Sequence, residues 1–261
     1  MKPFLAPASL LALCACVCAA LCAAPASAQP KETKEKAGGV RFAYGTGKNQ
    51  WGNIYQAKGA GTGNNTKPTP VYIWAHPNSD GKIPPSANDI PKSLVDKCNE
   101  AGITVISWES VPQVKTLDDV VTCRADLVKV YEWVVTNAKT YNIDINNIYI
   151  GGASRGTIVS WDFICKHPGK IRGAFLAQAL PKGAWAVDSQ NPLTTITADN
   201  PPVVLTYRTG MNSDDGHHPK FGKRVADKYA ELGIGDRATL LLNQKKLYAQ
   251  LVEFIKKHEK Q

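Results

Sequence analysis

The chain has 261 residues, of which 43% are hydrophobic and 20% charged, a mixture that supplies a sizeable core and excludes disordered and low-complexity classes. Its formal net charge is +9, but the lysines and arginines are scattered along the chain rather than gathered in blocks. Such a charge favours solubility and an acidic partner surface, and it does not indicate a nucleic-acid partner.

Residues 1–28 have the pattern of a secretory signal peptide. Lys2 is their only charge, an apolar run of Ala, Leu and Cys follows, and residues 26–28 read Ala-Ser-Ala, a small-residue cleavage site. Because Pro25 interrupts the run and no stop-transfer pattern follows, we expect no membrane span after cleavage. The protein is therefore predicted to be secreted or periplasmic, with a lipoprotein cleavage box at residues 13–16 as the alternative.

The cysteine pattern depends on this export. Four of the seven cysteines lie in the signal peptide, which leaves Cys98, Cys123 and Cys165 in an oxidising compartment. Three thiols allow at most one disulfide, and burial of all three as small hydrophobic residues is at least as good an interpretation. No Cys-x-x-Cys pair exists and the five histidines lack zinc-like spacing, so we predict neither a metal nor a cofactor.

After a polar leader at residues 29–38, strand and helix patterns follow one another to the end of the chain. Alternating apolar and polar residues at 40–44 and 53–57 predict a β-hairpin. Short apolar runs predict six further strands at 71–75, 103–108, 147–151, 173–179, 202–206 and 238–242. Helical periodicity predicts helices at 93–100, 116–139, 155–166, 220–232 and 246–258.

This order of elements predicts an α/β fold. Buried apolar strands separated by helices imply a mostly parallel central sheet with helices on both faces. The hairpin adds antiparallel strands at one edge. Because no linker and no internal repeat divides residues 39–261, we expect them to form a single domain.

A serine just after the predicted strand 147–151 carries the clearest catalytic signal. Residues 152–156 read Gly-Ala-Ser-Arg-Gly, the Gly-x-Ser-x-Gly pattern of a tight strand-to-helix turn that exposes a serine hydroxyl. Ser154 is therefore the candidate nucleophile, and the backbone N–H of Arg155 is a candidate donor to the oxyanion. The alternative is a glycine-rich turn with an idle serine.

From residue 40 onward, the chain resembles the α/β-hydrolase family, and within it secreted esterases and polyhydroxyalkanoate depolymerases. The resemblance rests on the edge hairpin, the run Val-Tyr-Ile-Trp-Ala-His-Pro at 71–77, Ile-Asp at 143–144 and the motif around Ser154. It implies a second oxyanion donor in the loop after His76. Because Pro77 has no N–H, we expect that donor to be Asn78 or Ser79, and His76 to be a structural hydrogen-bonding residue.

The sequence departs from the family pattern at the catalytic histidine. The resemblance implies an acid after strand 202–206 and a histidine after strand 238–242, where residues 243–246 instead read Asn-Gln-Lys-Lys. The acid loop continues Asp-Asp-Gly-His-His-Pro at 214–219, and its Asp-x-x-His-Pro spacing resembles the last block of the SGNH hydrolases. The expected base is His218 or His217, and the expected orienting acid is Asp215, Asp214 or, from another loop, Asp188. A plain polar surface loop is the alternative.

Few residues indicate the substrate. Trp108, Glu109 and Trp185 fall at the same sheet edge as Ser154 and are expected to line a pocket, although each aromatic side chain fits ordinary packing equally well. With no inserted lid evident, we expect an open cleft that suits bulky or polymeric esters. The sequence thus predicts an exported serine esterase acting on a small-molecule or polymeric ester. The alternative is a hydrolase-fold protein that lacks a competent base and binds a ligand.

Overall fold

The computed structural model of the protein describes residues 39–59, 67–78, 86–186, 191–212 and 216–260. The predicted signal peptide and polar leader lie outside these residues. Within the described part of the chain, no helix is long and apolar enough to cross a membrane.

Eight strands form one sheet in the order β1-β2-β4-β3-β5-β6-β7-β8. Their bounds are β1 Val40–Ala43, β2 Trp51–Tyr55, β3 Thr69–Ala75, β4 Thr104–Trp108, β5 Ile143–Ala153, β6 Gly173–Ala177, β7 Val203–Thr206 and β8 Ala238–Leu241. Strands β1 and β2 form an antiparallel edge hairpin, β2 pairs antiparallel with β4, and the remaining pairs are parallel. The predicted mostly parallel sheet with an antiparallel edge hairpin is confirmed.

In the described part of the chain, five α-helices cover the two faces of this sheet. They are α1 Lys92–Glu100, α2 Leu117–Asn137, α3 Arg155–Lys166, α4 Lys220–Glu231 and α5 Leu247–His258. Helices α2, α3 and α4 pack on one face, and α1 and α5 on the other. Strand β3 serves both cores: Val71 and Ile73 pack with the α2 face, whereas Tyr72 and Trp74 pack with the α1 face, as the two-residue period of a strand requires.

Helix α2 begins at Leu117, one residue after the predicted start, with Thr116 as its N-cap. Thr116 and Asp119 form a capping box at this first turn. The hydroxyl of Thr116 accepts the N–H of Asp119 at 3.2 Å, and the Asp119 carboxylate accepts the N–H of Thr116 at 2.9 Å. The backbone N–H groups of Lys115 and Thr116 both donate to the Asp119 carboxylate and lower its pKa. The reciprocal pairing satisfies two backbone donors that a helix start leaves unpaired.

Strand β5 begins four residues earlier than predicted. Ile143 pairs with Thr69 of β3, and the register then shifts before Val71 pairs with Ile148. Residues 144–146 between these pairs are exposed or half-buried, so they interrupt the apolar run by which the strand was recognised. The parallel strands from β3 to β8 all end at one edge of the sheet, and the loops that follow them meet there.

Candidate active site

The turn between β5 and α3 holds Ser154 in a strained backbone conformation. Its φ of 50° and ψ of −117° lie in a region that residues with a side chain rarely adopt. The Ser154 N–H donates to the carbonyl of Ala177 at the end of β6, at 2.9 Å. The turn is therefore tied to the neighbouring strand and presents the half-buried serine at the carboxyl edge of the sheet.

The two motif glycines are required by the end of strand β3. A Cβ on Gly156 would lie 2.2 Å from the carbonyl oxygen of Ala75, and a Cβ on Gly152 would lie 2.5 Å from the same atom. Neither approach is possible for real atoms without moving the backbone. The spacing of the motif thus has a steric cause, because only glycine fits at both positions beside β3.

The loop between β7 and α4 brings a histidine to the serine. The Nε2 atom of His217 lies 2.8 Å from Ser154 Oγ, a hydrogen-bonding distance suited to proton transfer. The backbone N–H of Lys182 donates to the carbonyl of Gly216 at 2.8 Å and so ties this loop to the one that follows β6.

The neighbouring histidine has a different partner. His218 accepts the backbone N–H of Lys220 on its Nδ1 atom at 2.9 Å, at the first residue of α4. The Asp-x-x-His-Pro spacing favoured His218 over His217, and the structure instead places His217 against Ser154. The candidate acids Asp214, Asp215 and Asp188 lie outside the described residues.

The loop after β3 contributes the second wall of the site. The Asn78 side chain donates to the carbonyl of Val114 at 2.8 Å and accepts the Val114 N–H at 3.1 Å. This pairing fixes Asn78 beside a groove that Ser154 and Arg155 also line. The backbone N–H of Arg155 stands at the first position of α3, where helical geometry leaves it without an intrahelical acceptor. The other predicted donor, Ser79, lies outside the described residues.

The groove beside Ser154 has a volume of about 390 Å³. Its far walls come from Leu117 and Val120 of α2, Ile158 of α3, and Pro181 and Ala184 of the loop after β6. The Leu117 side chain is 43% exposed at its rim. The groove is largely apolar beside Ser154, and Lys115, Thr116 and Arg124 also line it. The contribution of α2 was not predicted, because a helical apolar stripe ordinarily indicates core.

The residues predicted to line a pocket occupy other positions. Trp108 and Glu109 are 3% and 4% exposed and lie in the interior below the sheet edge. Trp185 is half-buried, its indole N–H donates to the carbonyl of Leu180 at 3.0 Å, and its ring stacks on Phe221 of α4. None of the three lines the groove beside Ser154.

A buried charged cluster lies beneath the nucleophile turn. The Arg155 guanidinium donates to Nδ1 of His76 at 3.0 Å, and Nε2 of His76 donates to Glu109 at 3.2 Å. Glu109 also accepts the backbone N–H of Ala87 at 3.2 Å and that of Ser110 at 3.1 Å. Burial lowers the pKa of Arg155. The cluster joins the first residue of α3 to the ends of β3 and β4, in keeping with the structural role expected of His76.

A threonine links the nucleophile turn to the loop after β6. The Thr157 hydroxyl donates to the carbonyl of Ser154 at 2.6 Å and accepts the N–H of Leu180 at 2.9 Å. Leu180 and Gln178 both have positive φ, at 43° and 50°. This link could not be predicted from the sequence, because neither leucine nor glutamine favours a positive φ.

The three cysteines that follow the predicted signal peptide are free and buried. Burial raises the pKa of Cys98 to about 12 and that of Cys165 to about 11. Cys123 accepts a hydrogen bond from the Arg155 guanidinium at 3.4 Å. Among the residues that the structure describes, no group of three or more His, Cys, Asp or Glu side chains could hold a metal ion.

Comparison with known proteins shows the fold. Neither a protein-family profile nor a curated protein sequence matches the chain. Among solved structures, a truncated carbohydrate esterase from gut microbiota is similar over 84% of this chain and 94% of its own, with 13% identity and a TM-score of 0.63. The esterase LipW from Mycobacterium marinum is similar over 84% of this chain and 81% of its own, with 14% identity and a TM-score of 0.60.

A third similar structure is esterase 2 of Thermogutta terrifontis phosphonylated by cyclosarin. It covers 84% of this chain and 94% of its own, with 12% identity and a TM-score of 0.63. At these identities the likeness establishes architecture and not activity. Together with the strand order, it shows that the chain has the α/β-hydrolase fold.

Proposed function

We propose that this α/β-hydrolase-fold protein is a serine esterase that cleaves carboxylic esters through an acyl-enzyme on Ser154. The observation that carries the proposal is the 2.8 Å distance between Ser154 Oγ and His217 Nε2. It argues against the alternative of a binding protein without a competent base, because that alternative requires every imidazole to lie out of reach of the serine.

The geometry supports a two-step acyl transfer. His217 accepts the hydroxyl proton while Ser154 Oγ attacks the ester carbonyl, and the carbonyl electron pair moves onto oxygen. In this proposal the Arg155 N–H and a backbone N–H of the loop at Asn78 donate to that oxyanion. His217 then returns the proton to the departing alcohol oxygen, and water releases the acid by the same route in reverse. Asp215 or Asp214 would orient the His217 ring.

The apolar groove suits the acyl part of an ester. At about 390 Å³ it accommodates a short apolar acyl chain, and the exposed Leu117 at its rim leaves the approach open to a bulky or polymeric alcohol part. The carbohydrate esterase and LipW, whose folds are similar, are esterases by name. Their names support ester hydrolysis as the class of reaction proposed for this chain.

A fluorophosphonate probe tests the proposal directly. We expect the folded protein to gain one probe adduct, located on Ser154 by peptide mass spectrometry, and to hydrolyse p-nitrophenyl butyrate. Ser154→Ala should abolish both, and unfolding in urea before exposure should abolish labelling. If the folded wild-type protein is neither labelled nor active on short esters, the proposal is wrong.

We also propose that the protein is exported, since residues 1–28 have a signal-peptide pattern. Expression in a bacterial host, followed by mass analysis of the periplasmic and medium fractions, tests this. The expected product begins at Gln29. A full-length chain retained in the cytoplasm would contradict export without bearing on the esterase proposal.

A further inference from the structure

We propose that a second cleft, separate from the groove of Ser154, binds an organic anion with an apolar body, such as an aromatic or aliphatic carboxylate. The cleft has a volume of about 800 Å³ and opens between α1, the start of α5 and the carboxyl ends of β3, β6 and β7. This volume lies within the range of about 300–1,000 Å³ that is typical of small-molecule sites.

The floor of the cleft is apolar. Tyr72, Trp74 and Phe175, which line it, are each at most 4% exposed. The Tyr72 hydroxyl donates to the carbonyl of Phe175 at 2.9 Å, and the hydroxyl of Tyr207 donates to the carbonyl of Ala179 at 2.8 Å. Because these hydroxyls are hydrogen-bonded and the rings are covered, they form a closed apolar base. The apolar surface open to a bound molecule comes from the half-buried Pro91, Leu247 and Tyr248.

The lining of the cleft has an excess of positive charge. Lys97, Arg208, Lys245 and Lys246 all belong to it and are exposed, and within the described part of the chain Arg208, Lys245 and Lys246 form no ion pair. The one carboxylate in the described lining is Asp89, which already accepts hydrogen bonds from the backbone and hydroxyl of Ser86 at 2.8 and 3.3 Å. Unpaired cations above an apolar floor attract an anion that also carries an apolar body.

The loop between β8 and α5 supplies two of these cations. The family resemblance implied a catalytic histidine in this loop, and the structure instead places Gln244, Lys245 and Lys246 in the cleft lining. Helix α5 starts at Leu247 with no side-chain cap and no acidic residue in its first turn, so the positive end of its dipole adds to the lysine charges. Because His217 is the proposed base, the loop after β8 needs no catalytic histidine, and it carries two lysines instead.

The cleft adjoins the nucleophile turn from the other side. Gly152, Ala153 and Gln178 line it, whereas Ser154 itself lines the smaller groove. The anion is therefore either a distal part of the ester substrate, which rests on the proposed function, or a separate ligand. In both cases the lysines and Arg208 bind the anionic group, and the apolar lining contacts the rest of the molecule.

Dye binding to the full chain carrying Ser154→Ala tests the site without catalysis. The anionic probe is 8-anilinonaphthalene-1-sulfonate, and N-phenyl-1-naphthylamine is its neutral counterpart. We expect saturable binding of the sulfonate, and we expect Lys245→Gln/Lys246→Gln to reduce its affinity relative to that of the neutral dye by about tenfold. The control pair Lys256→Gln/Lys257→Gln removes equal charge from the other end of α5 and should leave the ratio unchanged.

Three results would overturn the proposal: no saturable sulfonate binding, an unchanged affinity ratio in the Lys245/Lys246 variant, or an equal change in the control pair. Circular dichroism of each variant shows whether it is folded. Because the titration needs no turnover, failure of Ser154 labelling would overturn the esterase proposal and leave this one standing.

A kinetic comparison then identifies the source of the anion. The wild-type enzyme and the Lys245→Gln/Lys246→Gln variant are given phenyl butyrate and 4-carboxyphenyl butyrate. The second ester carries a free carboxylate on its alcohol part and has the same acyl chain. If the anion is part of the substrate, the variant raises the KM of the anionic ester relative to the neutral one by about fivefold. If it is a separate ligand, that ratio stays constant while the sulfonate affinity falls, and both results uphold an anion site.

Discussion

The two halves of the Ser154–His217 pair are held by different kinds of structure. Ser154 stands on a turn between a central strand and a helix, with glycines pressed against Ala75 and its N–H bonded to Ala177. His217 stands on a loop outside the sheet, next to a carbonyl of Gly216 that accepts the N–H of Lys182.

Under the proposed function, this difference explains how the base comes from the loop after β7 instead of the loop after β8. The nucleophile requires a strained turn, which only the sheet and its close-packed glycines can impose. A general base requires only that a ring nitrogen come within about 3 Å of the hydroxyl, whatever element carries it. On this proposal the base is His217 of the loop after β7, and the loop after β8 carries Lys245 and Lys246 instead.

The largest expected effect separates the two adjacent histidines. We predict that His217→Ala lowers kcat/KM for p-nitrophenyl butyrate by about 10³-fold, because general-base assistance is typically worth about 10² to 10⁴. His218→Ala removes only an acceptor for the Lys220 N–H and should change kcat/KM by about threefold or less. A larger loss in the His218 variant than in the His217 variant would show that the base is misassigned.

The next prediction adds one methyl group to the turn that holds Ser154 and one to the loop that holds His217. Gly156→Ala places a Cβ 2.2 Å from the backbone of Ala75, so we expect the free energy of unfolding to fall by about 2–3 kcal/mol. Gly216→Ala meets nothing within 4 Å and should change that free energy by about 0.5 kcal/mol or less. Urea denaturation measures both, and equal shifts of the midpoint would refute the contrast between a rigid turn and an open loop.

The smallest effect concerns the interior that supports both regions. Because burial raises the pKa of Cys98 to about 12 and of Cys165 to about 11, both thiols stay neutral near pH 8. Iodoacetamide should leave them unmodified in the folded protein and alkylate them fully in urea, as peptide mapping will show. Rapid alkylation of either thiol in the folded state would mean that the core opens easily.

The same thiols give stability a defined pH dependence. An unfolded thiol ionises near its ordinary value of 9.0, whereas the buried ones resist ionisation up to about 11 to 12. Their contribution to stability is therefore fully present below about pH 9 and is lost as the pH rises through the folded values. The urea concentration at the denaturation midpoint should stay constant from neutral pH to about pH 9 and decrease above it, up to about pH 11 to 12. A midpoint that does not change above pH 9 would contradict this prediction.

The buried cluster shows why some site residues could not be assigned in advance. Glu109 follows a strand at the catalytic edge and so looked like a pocket residue, yet it is 4% exposed and bonded to His76. Arg155 likewise directs its side chain inward to His76. Buried charges are uncommon, and only packing against a partner from a distant strand reveals that burial is possible.

The sequence by itself determined the elements, the mostly parallel sheet and the position of Ser154, because periodicity, the cap at Thr116 and the glycine spacing are local properties of the chain. Only the tertiary structure decided that His217 rather than His218 meets the serine. Consecutive loop residues can direct their side chains differently, and which one reaches the hydroxyl depends on how the loop is tied to the strand beside it. The cationic cleft was equally invisible in the sequence, because its lining comes from segments that meet only after the sheet has formed.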